Sequence, residues 1–189
     1  MRFSEAYDWI VKSERRQRIL LALTQPMTAK QLSYRTGLSL DTCSYILWEL
    51  SVYELVKCLN PRARRSRLYW CSEIGKRCQE WLFQAKSLTS PKYDFPTVDW
   101  DLYGSVCFSH REAVIKTLGQ CPLQPADIKR KAKAQFPNLR MSANNVRDVI
   151  RYFEASGIVR KVWERRKAHP TYELTEEGDK MRELLRRLR

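Results

Sequence analysis

Apolar positions along the first half of the chain change their spacing at definite points, and those points mark its elements. Ile19, Ala22 and Leu23 follow helical spacing after Ser13, a cap candidate, and stop before Pro26. Thr28 is placed to cap a second helix holding Ala29, Leu32 and Ser33, which Gly37 ends. Ser39 then opens a third, whose Cys43, Ile46, Leu47 and Leu50 stand at i, i+3, i+4 and i+7 and make one buried stripe. Three helices with a glycine-containing turn between the last two predict a helix-turn-helix. Beyond it the helical period is lost. Leu55-Val56-Lys57 and Arg67-Leu68-Tyr69-Trp70 are strand-like and flank the polar run Asn60-Pro61-Arg62-Ala63-Arg64-Arg65-Ser66, which predicts a β-hairpin with a basic tip.

The same succession occurs again. At an offset of 96 residues Tyr7 meets Tyr103, Ser13 meets Ser109, Arg15 meets Arg111, Ile19 meets Ile115, Pro26 meets Pro122 and Leu32 meets Ile128. At 103 residues Ser39 meets Ser142, Cys43 meets Val146, Leu47 meets Ile150, Leu50 meets Phe153, Tyr69 meets Tyr172 and Gly75 meets Gly178. The seven extra residues fall between Ile128 and Ser142, where Phe136-Pro137-Asn138 reads as loop. In the second copy helices are expected from Ser109 to Leu118, from Pro125 to Ala134 and from Ser142 to Ala155, the last with Val146, Val149, Ile150 and Phe153 inward. Ile158–Val162 and Thr171–Leu174 bracket another basic run, and Thr175 opens a closing helix.

The fold class expected is therefore mainly α with small β-hairpin wings (α+β), arranged as two tandem winged helix-turn-helix domains. The first occupies residues 1–86, a packed linker 87–102 and the second domain 103–189. The linker carries Tyr93, Phe95 and Trp100, with Tyr103 just beyond it, and is too aromatic for a free tether. Trp9, Trp48, Trp70, Trp81, Trp100 and Trp163 are read first as packing residues.

Two motifs resemble the winged helix-turn-helix proteins, and in particular prokaryotic transcription regulators of the multiple-antibiotic-resistance-regulator kind. One is the stretch from Leu32 to Ser39 before the third helix. The other is Tyr-x-x-Ser/Thr-Glu-x-Gly after the hairpin, present as Tyr69–Gly75 and as Tyr172–Gly178. The copies together cover about 150 of 189 residues. The resemblance implies DNA binding and regulation of transcription. The chain departs from the usual regulator in carrying two such units and no long dimerisation helix.

Charge points to the same partner. The 35 Lys and Arg against 21 Asp and Glu leave a net charge of +14, a balance that favours a polyanion such as double-stranded DNA. Residues 1–86 hold 15 basic and 8 acidic side chains and residues 109–189 hold 19 and 10, whereas residues 87–108 hold one and three. Each half is thus basic by itself. A third helix buried along one stripe leaves its other face free to enter a major groove about 12 Å wide. That face carries Ser142, Asn144, Asn145, Arg147, Asp148 and Arg151 in the second copy, where Asn and Arg have the bidentate geometry that adenine and guanine edges require. In the first it carries Asp41, Thr42, Ser44, Tyr45 and Trp48, and its two aromatics suit methyl and sugar contacts or a homodimer interface equally well. Arg62, Arg64, Arg65 and Arg67 in one wing, and Arg165, Arg166, Lys167 and His169 in the other, are the candidate phosphate contacts. Lys129-Arg130-Lys131-Ala132-Lys133 is either a solvated face or a further backbone contact.

Other classes find little support. The longest purely apolar run, Ile19 to Leu23, is five residues long, so no membrane span or membrane partner is expected. No secretory signal is evident, and a cytoplasmic, nucleoid-associated location follows, with Cys43, Cys58, Cys71, Cys78, Cys107 and Cys121 as reduced thiols. With two histidines, no C-x-x-C and no phosphate-binding glycine loop, neither a metal, a cofactor nor an enzymatic activity is expected. A transcription regulator is the leading reading. A plasmid or viral replication initiator and a protein-assembly module are the alternatives.

Overall fold

A computed structural model describes residues 3–90, 98–119, 121–163 and 169–188. The chain is mainly helical with small antiparallel sheets, and it divides into two compact units, Met1–Gly104 and Ser105–Arg187.

The first unit opens with α1 (Phe3–Val11), which the apolar spacing had not marked, and continues with α2 (Glu14–Ala22), α3 (Ala29–Thr36) and α4 (Leu40–Val52). Each of the last three is capped by a hydroxyl. Ser13 accepts from the Arg16 amide, Thr28 forms a capping box with Gln31, and Ser39 accepts from the Thr42 amide. Gly37 ends α3 at φ +71°, a left-handed conformation that a side chain would strain. The apolar stripe Cys43, Ile46, Leu47 and Leu50 is buried as its spacing requires, together with Ile19, Leu20, Leu23 and Leu32.

Strands β1 (Met27–Thr28), β2 (Val56–Cys58) and β3 (Leu68–Cys71) form one antiparallel sheet in the order β1-β3-β2, with Met27 opposite Tyr69 and Lys57 opposite Trp70. Strand β1 is too short for alternation to reveal it in the sequence. Helix α5 (Glu73–Ala85) follows the sheet. Helix α6 (Trp100–Val106) follows, and the division between the units falls within it, after Gly104. Of the linker aromatics, Tyr93 and Phe95 lie outside the described residues, and Tyr103 is fully buried.

The second unit repeats the order with α7 (Ser109–Thr117), α8 (Pro125–Gln135), α9 (Ala143–Ala155), β4 (Val159–Val162), β5 (Thr171–Leu174) and α10 (Glu176–Arg187). Leu123 pairs with Tyr172 through two backbone bonds of 2.9 Å, which reproduces the Met27–Tyr69 pairing at the equivalent position. Val146, Val149, Ile150 and Phe153 are buried with Ile128, Ile158, Leu184 and Leu185.

The Tyr-x-x-Ser/Thr-Glu-x-Gly motif has a physical cause, and it is the same in both units. Ser72 Oγ donates to the carbonyls of Glu54 (2.6 Å) or Leu55 (3.2 Å) and accepts from the Gly75 amide at 3.1 Å. Thr175 Oγ1 does the same to Gly157 (2.6 Å) or Ile158 (3.1 Å) and accepts from the Gly178 amide at 3.1 Å. A Cβ on Gly75 would lie 1.9 Å from the Leu55 oxygen, and one on Gly178 2.1 Å from the Ile158 oxygen. No side chain fits there, so the closing helix meets the entering strand only through glycine.

Candidate nucleic-acid interface

In the second unit the outward face of α9 follows from its inward stripe. Asn144, Arg147, Asp148 and Arg151 are exposed. Arg147 Nη1 lies 3.4 Å from Asn144 Oδ1, and Arg151 Nη1 3.7 Å from Asp148 Oδ1, with both members of the second pair more than 70% exposed. Contacts that open to water are weak, so these guanidiniums are held loosely and their forks are free to exchange partners.

Asn145 has another role. Its Oδ1 accepts from the Ser142 amide at 2.9 Å and from Ser142 Oγ at 2.6 Å, while its own amide donates to Ser142 Oγ at 3.0 Å. The residue is half-buried and completes a capping box. Its carbonyl oxygen, half of the bidentate set a base contact would use, is committed to the helix end, and Ser142 is committed with it.

In the first unit α4 presents a different surface. Ser39 and Thr42 bond to each other (Oγ to Oγ1, 2.8 Å), and Ser44 Oγ donates back to the Leu40 carbonyl at 2.8 Å. Those three hydroxyls serve the helix itself. Tyr45 and Trp48 are each 58% exposed, their ring centroids 5.8 Å apart. Asp41, Ser44, Tyr45 and Trp48 occupy the positions that Asn144, Arg147, Asp148 and Arg151 hold in the second copy. The outward face of α4 therefore has no cationic side chain where α9 has two.

Arg62, Arg64, Arg65 and Arg67 of the first hairpin are all exposed, and Arg67 Nε donates to the Ala63 carbonyl at 3.0 Å. Asn60, read from the sequence as part of the polar tip, is instead fully buried. Arg165, Arg166 and Lys167 lie outside the described residues, and His169 is exposed. Trp163 was expected to pack; it is 65% exposed, with Lys161 Nζ 4.6 Å from its ring centroid. Trp81 is likewise more than half exposed, whereas Trp70 is buried. On α8 Arg130, Lys131 and Lys133 are exposed, and Arg130 pairs with Asp127 at 2.8 Å.

No protein-family model matches the chain, and no curated protein matches it either. Among the described residues no helix is long and apolar enough to cross a membrane. Nor, among them, do three or more His, Cys, Asp or Glu side chains gather where they could hold a metal ion.

Proposed function

We propose that the chain binds double-stranded DNA in a sequence-specific manner as a transcription regulator, each unit being a winged helix-turn-helix. The observation that carries this reading is the exposed face of α9, where Asn144, Arg147 and Arg151 stand clear of a fully buried opposite stripe. A helix of that kind fits the major groove, and its two guanidiniums have the geometry for guanine O6 and N7. The arginines of the first hairpin and the net charge of +14 supply the phosphate contacts that such a helix needs to be held in register. Fluorescence anisotropy of labelled duplexes over a range of salt concentrations tests it. Each phosphate neutralised contributes about −0.9 to the slope of log K against log salt, so a slope of roughly −5 or steeper is expected. Failure to bind genomic duplex fragments at low salt sinks the proposal.

One observation favours a second role for the first unit. The Tyr45 and Trp48 face, with no basic residue along α4, suits a homodimer contact better than a phosphate-lined groove. Two arrangements compete: one chain reading an asymmetric site as a covalent pseudo-dimer, or two chains joined through α4 reading a palindrome with their second units. Selection of sites from random duplexes, with light scattering of the complex, separates them. A palindromic site lost with Trp48→Ala through dissociation selects the homodimer.

A further inference from the structure

The base of the first hairpin is organised around one amide. Asn60 lies two residues beyond the end of β2 and is entirely buried. Its Oδ1 accepts from the Leu68 amide at 2.7 Å and from the Cys58 thiol at 3.7 Å. Its Nδ2 donates to the Ser66 carbonyl at 3.2 Å, and its own carbonyl accepts from the Ala63 amide at 3.0 Å. The two ends of the basic loop are thereby bound to a single residue. Ser66, which takes the left-handed φ of +53°, is one of the groups it holds.

Helix α6 lies on this amide. A Cβ on Gly104 would be 2.2 Å from Asn60 Nδ2 and 3.2 Å from the Ser66 oxygen. Only glycine permits that approach, and it shields the amide's bonds from water, which strengthens them. Among the described residues the second hairpin shows no counterpart. Trp163 stands at the position equivalent to Asn60 and is exposed.

We infer that Asn60, covered by Gly104, is the positioning residue that fixes the first hairpin in its DNA-binding shape before DNA arrives. The inference rests on the DNA-binding reading and adds a division of labour to it. Arg62, Arg64 and Arg65 point outward from a loop whose backbone is already ordered, so little conformational entropy remains to be lost when phosphates are engaged. Asn60 touches no nucleic acid itself; it acts through the arginines.

The test uses the full chain with Asn60→Ala, Asn60→Asp and Gly104→Ala. Asn60→Asp, as the carboxylate, keeps an acceptor for Leu68 but cannot donate to Ser66, so it changes the latch with little change of shape. Hydrogen exchange without DNA should show the Leu68 amide opening on the order of ten-fold faster in each variant, with Leu47 on α4 unchanged. The salt slope of duplex binding should fall by about two, as if two of the three arginines no longer engaged. Combining Asn60→Asp with Arg64→Ala and Arg65→Ala should lose no more than the arginine changes alone, since both act on one contact. Should Asn60→Ala not fold, the other two variants decide on the same readouts. Unchanged Leu68 exchange in Asn60→Asp and Gly104→Ala overturns the inference, as do losses that simply add to those of the arginines. Failure of the parent chain to bind duplex overturns the DNA reading instead, while Leu68 exchange still judges the latch.

Discussion

Arg16 holds Glu49 with two edges of its guanidinium, Nε at 3.3 Å from one carboxylate oxygen and Nη2 at 3.2 Å from the other. The position of Glu49 in the repeat is taken by Tyr152 in the second unit, and there the guanidinium of Arg111 lies over the ring, 3.6 Å from its centroid. Each arginine also donates to a carbonyl near the end of the preceding helix, Arg16 to Trp9 and Arg111 to Ser105, both at 3.2 Å. Arg16 and Arg111 each stand three residues after the N-cap of their helix, Ser13 and Phe108, one residue off the 96-residue register, so one socket is filled by an ion pair and the Trp9 ring, 3.7 Å away, in one unit and by the Tyr152 ring in the other.

The two fillings predict different costs of removal. The Arg16 and Glu49 side chains are 20% and 16% exposed, so Glu49→Ala leaves a largely desolvated cation and should cost about 2–4 kcal/mol. Tyr152→Phe keeps the ring and loses only the 2.8 Å bond to Ser105 Oγ, which should cost about 1 kcal/mol or less. Urea unfolding followed by tryptophan fluorescence measures both, and equal losses would count against the shared socket.

Glycine substitutions should fall into two classes. Gly75→Ala and Gly178→Ala drive a methyl into a backbone carbonyl and should cost upwards of about 3 kcal/mol each. Gly37→Ala and Gly157→Ala meet no atoms within 4 Å and suffer only the positive φ, about 1 kcal/mol. Glu54 stands where Gly157 does and has φ +57°, so Glu54→Gly should stabilise by about 1 kcal/mol. Thermal melts of the five variants give the order.

On α9 the expectation separates base contacts from the cap. Arg147→Ala and Arg151→Ala should each lose about 1–3 kcal/mol on the preferred duplex, much less on random DNA, with little change in melting temperature. Asn145→Ala should instead lower stability by about 1 kcal/mol, because the capping box is broken. Paired melts and titrations distinguish them, and a stable Asn145→Ala chain with relaxed specificity would return Asn145 to the base-reading set.

Burial pushes the Cys71 thiol up to about 12 and that of Cys78 up to about 11. Both folded values are raised above that of the unfolded chain, so their contribution to stability is complete below about pH 9 and is lost as pH rises toward 11–12. Denaturation midpoints should fall across that interval, and less steeply in Cys71→Ala. At pH 8 a thiol reagent should modify exposed Cys121 first and leave Cys43, Cys71 and Cys78 unreacted until the chain unfolds.

Much of the local architecture was legible because its causes are local. Ser39 caps where expected, the stripes of α4 and α9 are buried, and Gly37 takes the left-handed turn that its place after a helical run implied. What the sequence concealed depends on contacts between distant residues. Helix α1 buries only Ala6 and Ile10, too few to announce a period. Asn60 sits in a polar run and reads as solvent-facing, yet Leu68, Ser66 and Gly104 enclose it. Asn145 looks like a base reader by residue type, and only the geometry of the helix end shows its carbonyl occupied.

The way the second hairpin is fastened makes its outer loop an exchangeable part. Strands β4 and β5 are in register over four pairs from Val159–Leu174 to Val162–Thr171, and Thr171 Oγ1 donates to the Val162 carbonyl at 3.1 Å. At the other end Thr175 and Gly178 seat the returning chain against Ile158. Among the described residues, the contacts that clasp this hairpin lie on its strands and at its root, so a foreign loop spliced between Val162 and Thr171 would inherit a ready-made mount. The first hairpin admits no such graft, since removing its loop would take Asn60, and the fastening, with it.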